Sequence, residues 1–204
     1  KYYRTNKDVV KLYFSNIKRD APDHFDYFPV EKDKDTYRIF VIGGSSAAGF
    51  PYGLNLSSSE YLKTMLGYTL PDQKIEIINH AFSALSSYTV RDYAFQIIKK
   101  YKPDMIIIYS GHNEFYGSFG SGSNSFIGRN RNFINFAIPL MKTKTFQLFN
   151  SFAMLLSKKK IEKFNNDKTL MQRMSEGSSI PIDSKIRQKT YNNYYNNIAD
   201  IIKR

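Results

Sequence analysis

Apolar and polar positions follow two periodicities in turn over the first half of the chain. Residues 39–42 form an apolar run of strand length, residues 75–78 form a second short run in which Ile75, Ile77 and Ile78 are apolar, and residues 105–109 form a third that is almost continuous in isoleucine. Between these runs, apolar side chains recur at helical spacing over residues 61–66 and 90–101. The order strand, helix, strand, helix, strand predicts a three-layer α/β/α fold. Its middle layer is a parallel sheet whose strands are joined by right-handed crossovers.

Local signals refine these elements. Ser57 and Glu60 have the spacing of a capping box and predict the start of the first helix, which Gly67 is expected to end. Pro103 is expected to end the second helix. The isoleucine run of the third strand predicts that this strand is buried on both faces of the sheet.

Three further segments surround the predicted core of residues 37–117. Residues 1–36 form a polar and aromatic lead-in, with a short helix near residues 7–17. Residues 118–183 predict a helical insertion that could act as a lid, and its aromatic stripe favours packing over a binding surface. Residues 184–204 predict a core helix whose apolar face consists of Tyr191, Tyr194, Tyr195, Ile198, Ile201 and Ile202.

An alternating fold continues with another strand after such a helix. The first residue is Lys1 rather than Met, and the last residue, Arg204, lies within an amphipathic pattern. We therefore expect these residues to be part of a longer protein.

Composition narrows the classes of function. Lys and Arg outnumber Asp and Glu by 30 to 18, for a net charge of +12, but the excess is scattered and is densest at residues 158–160. This distribution argues against a nucleic-acid interface, and either a solvated basic face or attraction to an anionic surface or substrate explains it equally well.

The absence of cysteine excludes disulfides, thiol catalysis and Cys-ligated zinc. His24, His80 and His112 lack metal-ligand spacing, so neither a metal nor a cofactor is expected. No run of about twenty apolar residues is present that could span a bilayer.

Each predicted strand is followed by a loop that is rich in small or polar residues. The first loop reads Gly-Gly-Ser-Ser-Ala-Ala-Gly at 43–49, the second Asn-His-Ala-Phe-Ser-Ala at 79–84, and the third Gly-His-Asn-Glu at 111–114. The carboxyl ends of parallel strands meet at one edge of a sheet. The three loops are therefore expected to form one site.

This trio of loops resembles the blocks of the SGNH, or GDSL-type, hydrolase superfamily, which implies a flavodoxin-like fold. Two sequence motifs are similar to those of a bacterial branch of that superfamily: Gly-Gly-Ser-Ser-Ala-Ala-Gly-Phe-Pro-Tyr-Gly and Gly-His-Asn-Glu-Phe-Tyr-Gly. In that branch such domains follow a membrane segment and sometimes accompany tetratricopeptide repeats. The resemblance thus implies an extracytoplasmic location, with a membrane anchor or repeats outside the present segment.

The resemblance also implies residue roles. Ser45 matches the nucleophile, because Gly49 follows four residues later, and Ser46 is a less favoured neighbour. Ala84 matches the residue whose N–H helps to form the oxyanion hole, and Asn113 matches the asparagine whose side-chain amide joins it, together with the N–H of Ser45. Such preorganised donors receive the charge that develops when a hydroxyl attacks an acyl carbon.

Other loop residues are expected to line the same pocket, and several depart from the family pattern. Gly44 replaces the usual Asp, Ala81 and Ala84 replace glycines, and Glu114 replaces an Asp. The pocket candidates are Gly44, Ser46, Asn79, Gly111, His112 and Glu114.

No segment matches the Asp-x-x-His block that supplies the base in this superfamily. His80 or His112 could serve as a substitute, although a hydrogen-bonded or pocket-lining loop histidine is the favoured interpretation of each. We therefore expect the catalytic Asp and His to lie beyond Arg204.

Three hypotheses about function follow from these residues. The first is a serine hydrolase of acyl or acetyl esters of a carbohydrate or lipid, which would work through an acyl-enzyme. The second is an O-acyltransferase on the same fold. The third is a catalytically silent SGNH-like binding or scaffold domain, and an Asp-x-x-His block after a further strand would argue against it.

Overall fold

A parallel sheet of three strands lies at the centre of the computed structural model. Strand β3 (Thr36–Gly43) is in the middle, with β4 (Lys74–Asn79) on one side and β5 (Met105–Tyr109) on the other. All pairings are parallel. The predicted α/β class with a parallel sheet is confirmed, and placing the earliest of these strands in the middle is consistent with a flavodoxin-like α/β/α fold. The structure describes residues 1–6, 12–14, 26–123, 128, 130–156 and 179–204.

Helices follow the strands in alternation. Ser57 caps its helix as predicted, since its hydroxyl accepts a hydrogen bond from the Glu60 N–H, and Ser184 caps the last helix in the same way through Arg187. The α-helices that the structure describes are α1 (Ser45–Ala48), α2 (Ser58–Thr69), α3 (Ser87–Tyr101), α4 (Arg131–Met141), α5 (Lys144–Leu156) and α6 (Lys185–Ile202).

The two faces of β3 bury different helices, because successive side chains of a strand point to opposite faces. Ile39 and Val41 pack with Ala47 and Ala48 of α1 and with the apolar side of α2. Phe40 and Ile42 pack with α3 and belong to the larger hydrophobic cluster of the core. Strand β3 is therefore covered on both faces.

An antiparallel ribbon of β1 (Tyr2–Arg4) and β2 (Tyr27–Pro29) lies before the sheet. Its short strands carry no periodic signal, and the sequence did not predict them. Most of the helix expected near residues 7–17 lies outside the described residues, as do parts of the segment 118–183.

Two local predictions were wrong. Helix α2 continues through Gly67 to Thr69, because Gly67 sits in open space and does not adopt the left-handed turn that would end the helix. Strand β5 is not buried on both faces: Met105 and Tyr109 are 44% and 50% exposed. This strand is at an edge of the sheet, where one side lacks a neighbouring strand among the described residues.

The buried face of α6 also differs from the predicted stripe. Tyr195 and Ile202 are exposed, whereas Thr190 and Asn197 are buried. The reason is a polar contact: the Asn197 side chain accepts a hydrogen bond from Arg131 Nε at 2.9 Å and donates one to Ser87 Oγ at 3.0 Å. Hydrogen bonding, rather than apolar area alone, therefore determines how α6 is rotated against α3 and α4.

Candidate active site

The first loop places Ser45 at the start of a very short helix directly after β3. Ser45 is half-buried and Ser46 is exposed. The helix ends at Gly49, whose φ of 96° lies in the left-handed region and where a Cβ would come within 2.3 Å of the Gly53 carbonyl. Only glycine fits there, which gives a structural reason for the spacing between Ser45 and Gly49.

The first and third loops meet at Gly44. A Cβ built on Gly44 would lie 2.6 Å from Nδ2 of Asn113, and the Gly44 N–H donates to the Tyr109 carbonyl at 3.3 Å. Gly44 therefore has no side chain because the Asn113 amide occupies that space. This contact brings the Asn113 amide against the residue that precedes Ser45.

Asn113 is almost fully buried, at 4% exposure. Its Nδ2 donates one hydrogen to the Leu85 carbonyl at 2.9 Å, and no second acceptor for this amide appears among the described residues. The bond to Leu85 fixes the orientation of the amide, and the second N–H remains available.

The second loop is held against the third through Ala84. Its carbonyl accepts from the Ser118 N–H at 2.8 Å, and a Cβ on Gly117 would lie 2.6 Å from that carbonyl oxygen. Ala84 is buried and has a φ of 61°, a left-handed conformation that costs a non-glycine residue about 1 to 2 kcal/mol. The backbone at Ala84 therefore has a conformation that glycine adopts without this cost.

Two backbone donors of these loops lack acceptors. Within the part of the chain that the structure describes, neither the Ser45 N–H nor the Ala84 N–H donates a hydrogen bond. Ala84 is buried, and a buried N–H without a partner is rare in folded proteins, because it loses its hydrogen bond to water. Ser45 is half-buried, and its N–H is the first of helix α1, where no intrahelical acceptor exists. A ligand oxygen is the kind of group that would satisfy such donors.

Asn79 has a supporting position rather than a place in the pocket lining. Its side chain is 1% exposed, and its Nδ2 donates at 2.8 Å both to the Ala47 carbonyl and to Ser59 Oγ. Its Oδ1 accepts from the Ala81 N–H at 3.0 Å. Asn79 thus ties α1 to the second loop and to α2.

Glu114 caps helix α3. One carboxylate oxygen accepts from the Ser87 N–H and the other from Ser87 Oγ, both at 2.7 Å. Burial raises the pKa of Glu114 from 4.5 to about 7, although the two hydrogen bonds from Ser87 oppose the shift. The carboxylate of Glu114 thereby satisfies backbone and side-chain donors of the first residue of α3.

The two described loop histidines occupy different surroundings. His80 lies on the α3 face of the sheet, with its ring 5.3 Å from that of Tyr93 and 5.8 Å from that of Phe82. His112 is exposed and contacts the Tyr109 ring at 5.2 Å. Neither is hydrogen-bonded to Ser45, whose hydroxyl has no partner among the described residues.

The remaining candidates lie at the edges of this region. Gly111 is exposed, with a φ of 121°, and a Cβ there would approach the Tyr194 hydroxyl of α6 at 3.6 Å. His24 lies outside the described residues. Among those residues no group of His, Asp or Glu side chains could hold a metal, and no helix is long and apolar enough to cross a membrane.

Comparison with known proteins adds little to this geometry. No family model matches the chain, and no curated protein matches it. A crystal structure of TesA aligns with 38% of this chain at 18% identity, with a TM-score of 0.35. The aligned part spans 42% of the TesA chain, less than half its length. A likeness this slight carries no argument about function.

Sequence reasoning missed the residues that hold the loops together. Ser87 and Asn197 each contact a candidate residue or its partner, yet neither stands in a recognisable motif. Their partners are far away in the chain, and only the packing of α3 and α6 brings them together.

Proposed function

We propose that this chain carries the nucleophile and the oxyanion hole of a serine hydrolase that acts on acyl or acetyl esters of a carbohydrate or lipid. Ser45 is the nucleophile, and the donors to the oxyanion are the N–H groups of Ser45 and Ala84 and the amide of Asn113. The observation that carries the proposal is the pair of unpartnered backbone N–H groups beside a fixed Asn113 amide. These are the donors that an acyl-transfer reaction needs.

The reaction begins when the Ser45 hydroxyl attacks the ester carbonyl and loses its proton to a base. The carbonyl oxygen becomes an oxyanion that the three donors receive, and its collapse breaks the ester C–O bond, expels the alcohol as the base returns the proton to it, and leaves an acyl-enzyme. Water then releases the acid and restores Ser45.

The proposal needs a base that the described residues do not place beside Ser45. A serine hydroxyl is a weak nucleophile without such a partner. We propose that an Asp-x-x-His block, which the resemblance places after a further strand, supplies this base from outside residues 1–204.

The test uses the complete natural protein that contains this chain and a short-chain aryl ester. Ser45→Ala should abolish hydrolysis and labelling by a fluorophosphonate, whereas the exposed neighbour variant Ser46→Ala should retain both. Asn113→Ala should lower kcat by about a hundredfold to a thousandfold. Equal labelling of wild-type and Ser45→Ala protein would show that Ser45 is not the nucleophile.

A product assay distinguishes hydrolysis from transfer of the acyl group to a sugar hydroxyl. Transfer requires acceptor-dependent formation of a new ester, whereas hydrolysis releases the free acid at a rate that does not depend on the acceptor. A folded complete protein with neither activity nor fluorophosphonate labelling would leave the silent binding domain as the surviving hypothesis.

A further inference from the structure

Helices α4 and α5 expose an unusual amount of large apolar surface. Helix α4 buries Ile134 and Ile138 at 2% exposure each, so its inner side is already used by the core. Its outer side nevertheless carries Phe133, Phe136 and Leu140, which are 54%, 66% and 43% exposed. A helix that is apolar on both sides needs an apolar environment on its outer side as well.

Helix α5 extends this pattern. Phe149 and Phe152 are 72% and 61% exposed, and Leu148 is 73% exposed. With Phe146 they follow the spacing of one helix side, opposite the polar positions Gln147 and Asn150. We define the outer apolar residues as Phe133, Phe136, Leu140, Phe146, Leu148, Phe149 and Phe152.

The charge of the surrounding sequence indicates what covers these residues. Residues 115–156 contain no Asp or Glu, and their charged side chains are Arg129, Arg131, Lys142 and Lys144. Arg131 and Lys142 are paired with Asp200 and Asp92. Lys144, at the start of α5, is exposed and has no carboxylate partner in the part of the chain that the structure describes. The densest basic run of the sequence, residues 158–160, follows directly after α5. Exposed Phe and Leu next to Lys, without acids, are the composition of a helix that lies in an anionic membrane interface.

We propose that α4 and α5 dock on the surface of an anionic phospholipid bilayer. The outer apolar residues enter the boundary between head groups and acyl chains, and Lys144 contacts lipid phosphates. Neither helix crosses the membrane, consistent with their lengths of 11 and 13 residues. This inference does not depend on the proposed esterase activity.

The test measures co-sedimentation of the folded chain with vesicles. Vesicles of phosphatidylcholine mixed with phosphatidylglycerol should bind the protein, and binding should weaken on raising the salt well above about 0.1 M. Phe136→Ser combined with Phe149→Ser should weaken binding by about tenfold or more, because both exposed rings would lose their apolar contact. Lys144→Gln should weaken it by about fivefold.

A matched control removes two exposed rings elsewhere. Tyr52 and Tyr68 are 76% and 84% exposed, and Tyr52→Ser with Tyr68→Ser should leave vesicle binding unchanged. Circular dichroism of each variant establishes that it is folded.

Three results would overturn the inference. The first is equal binding to pure phosphatidylcholine vesicles, which would remove the role of anionic lipid. The second is a double Phe variant that binds vesicles as the wild type does but has a lower Tm. This result would mean that protein, not lipid, covers these rings. The third is no vesicle binding together with a dimer that the double Phe variant dissociates, which would make a second copy of the chain the partner.

Discussion

Glu114 gives the sharpest test of how the third loop is held. Its carboxylate is 4% exposed and bonds only to Ser87 among the described residues, at the N-terminus of α3. In the unfolded chain this group ionises near pH 4.5, whereas in the folded protein burial raises its pKa to about 7. Between these two values the folded state holds a proton that the unfolded state has lost.

The sign of the pH dependence follows from this difference. Because the folded state binds more protons in this window, the free energy of unfolding falls as the pH rises from 4.5 to about 7. The separation of the two pKa values corresponds to about 3 kcal/mol, which is present at the acid end of the window and lost above it. Asp104 and Asp200 have lowered pKa values and contribute to stability changes only at more acidic pH.

Glu114→Gln should remove this dependence. The amide stays neutral at every pH, can accept from the Ser87 N–H and can donate to Ser87 Oγ in place of the protonated carboxyl. The measurement is denaturant unfolding of both proteins from about pH 5 to about pH 8. Between about pH 5 and about pH 8, the free energy of unfolding of the variant should rise by about 3 kcal/mol relative to that of the wild type.

The matched control is Glu31→Gln, which changes an exposed carboxyl to an amide and should follow the wild-type pH profile. If the difference between wild type and Glu114→Gln is the same at both ends of the pH range, Glu114 is ionised throughout. The hydrogen bonds and the helix terminus would then outweigh burial, and burial would not raise the pKa of Glu114.

Two further substitutions test the backbone and the buried charge. Ala84→Gly should raise the free energy of unfolding by about 0.5 to 1 kcal/mol in denaturant unfolding, because glycine relieves the left-handed strain at φ 61°. The control Ala137→Gly, within α4, should instead lower it by about 1 kcal/mol, and a loss at both positions would contradict the strain at Ala84. Arg38→Ala should cost about 3 to 5 kcal/mol by the same measurement, because it removes a buried guanidinium that pairs with Glu76 at 2.6 Å and donates to the carbonyls of Tyr101 and Pro29. Lys63→Ala, at an exposed ion pair, should cost less than about 1 kcal/mol, and comparable losses for the two would refute the role of burial.

Much of the fold was predictable because periodic patterns report local burial. The strands at Thr36–Gly43, Lys74–Asn79 and Met105–Tyr109 include the predicted runs, and the Ser57 cap begins its helix where expected. The β1–β2 ribbon was not predictable, since strands of three residues are too short for a period to appear. The exposure of β5 could not be read from its isoleucines, because composition does not say whether a strand has one neighbour or two.

The candidate site also combines features that the sequence predicts with features that only the structure shows. The order of the loops and the small residues of the first turn were visible in the sequence, and a resemblance assigned Ser45, Ala84 and Asn113 their expected roles. The sequence could not show that the Asn113 amide fills the space of a Gly44 side chain, that Ala84 adopts a positive φ, or that Glu114 turns toward Ser87. Each of these facts depends on a contact between segments 27 to 69 residues apart.

The sequence by itself therefore determined which segments become the three strands of the parallel sheet and the helices between them. These features depend on neighbours a few residues apart, and local spacing records them. Tertiary structure decided which polar side chains become buried partners, as Asn197 shows by bonding to Ser87 across 110 positions. A polar residue is stable in the core only where a partner is within hydrogen-bond reach, and folding alone brings such a distant partner there.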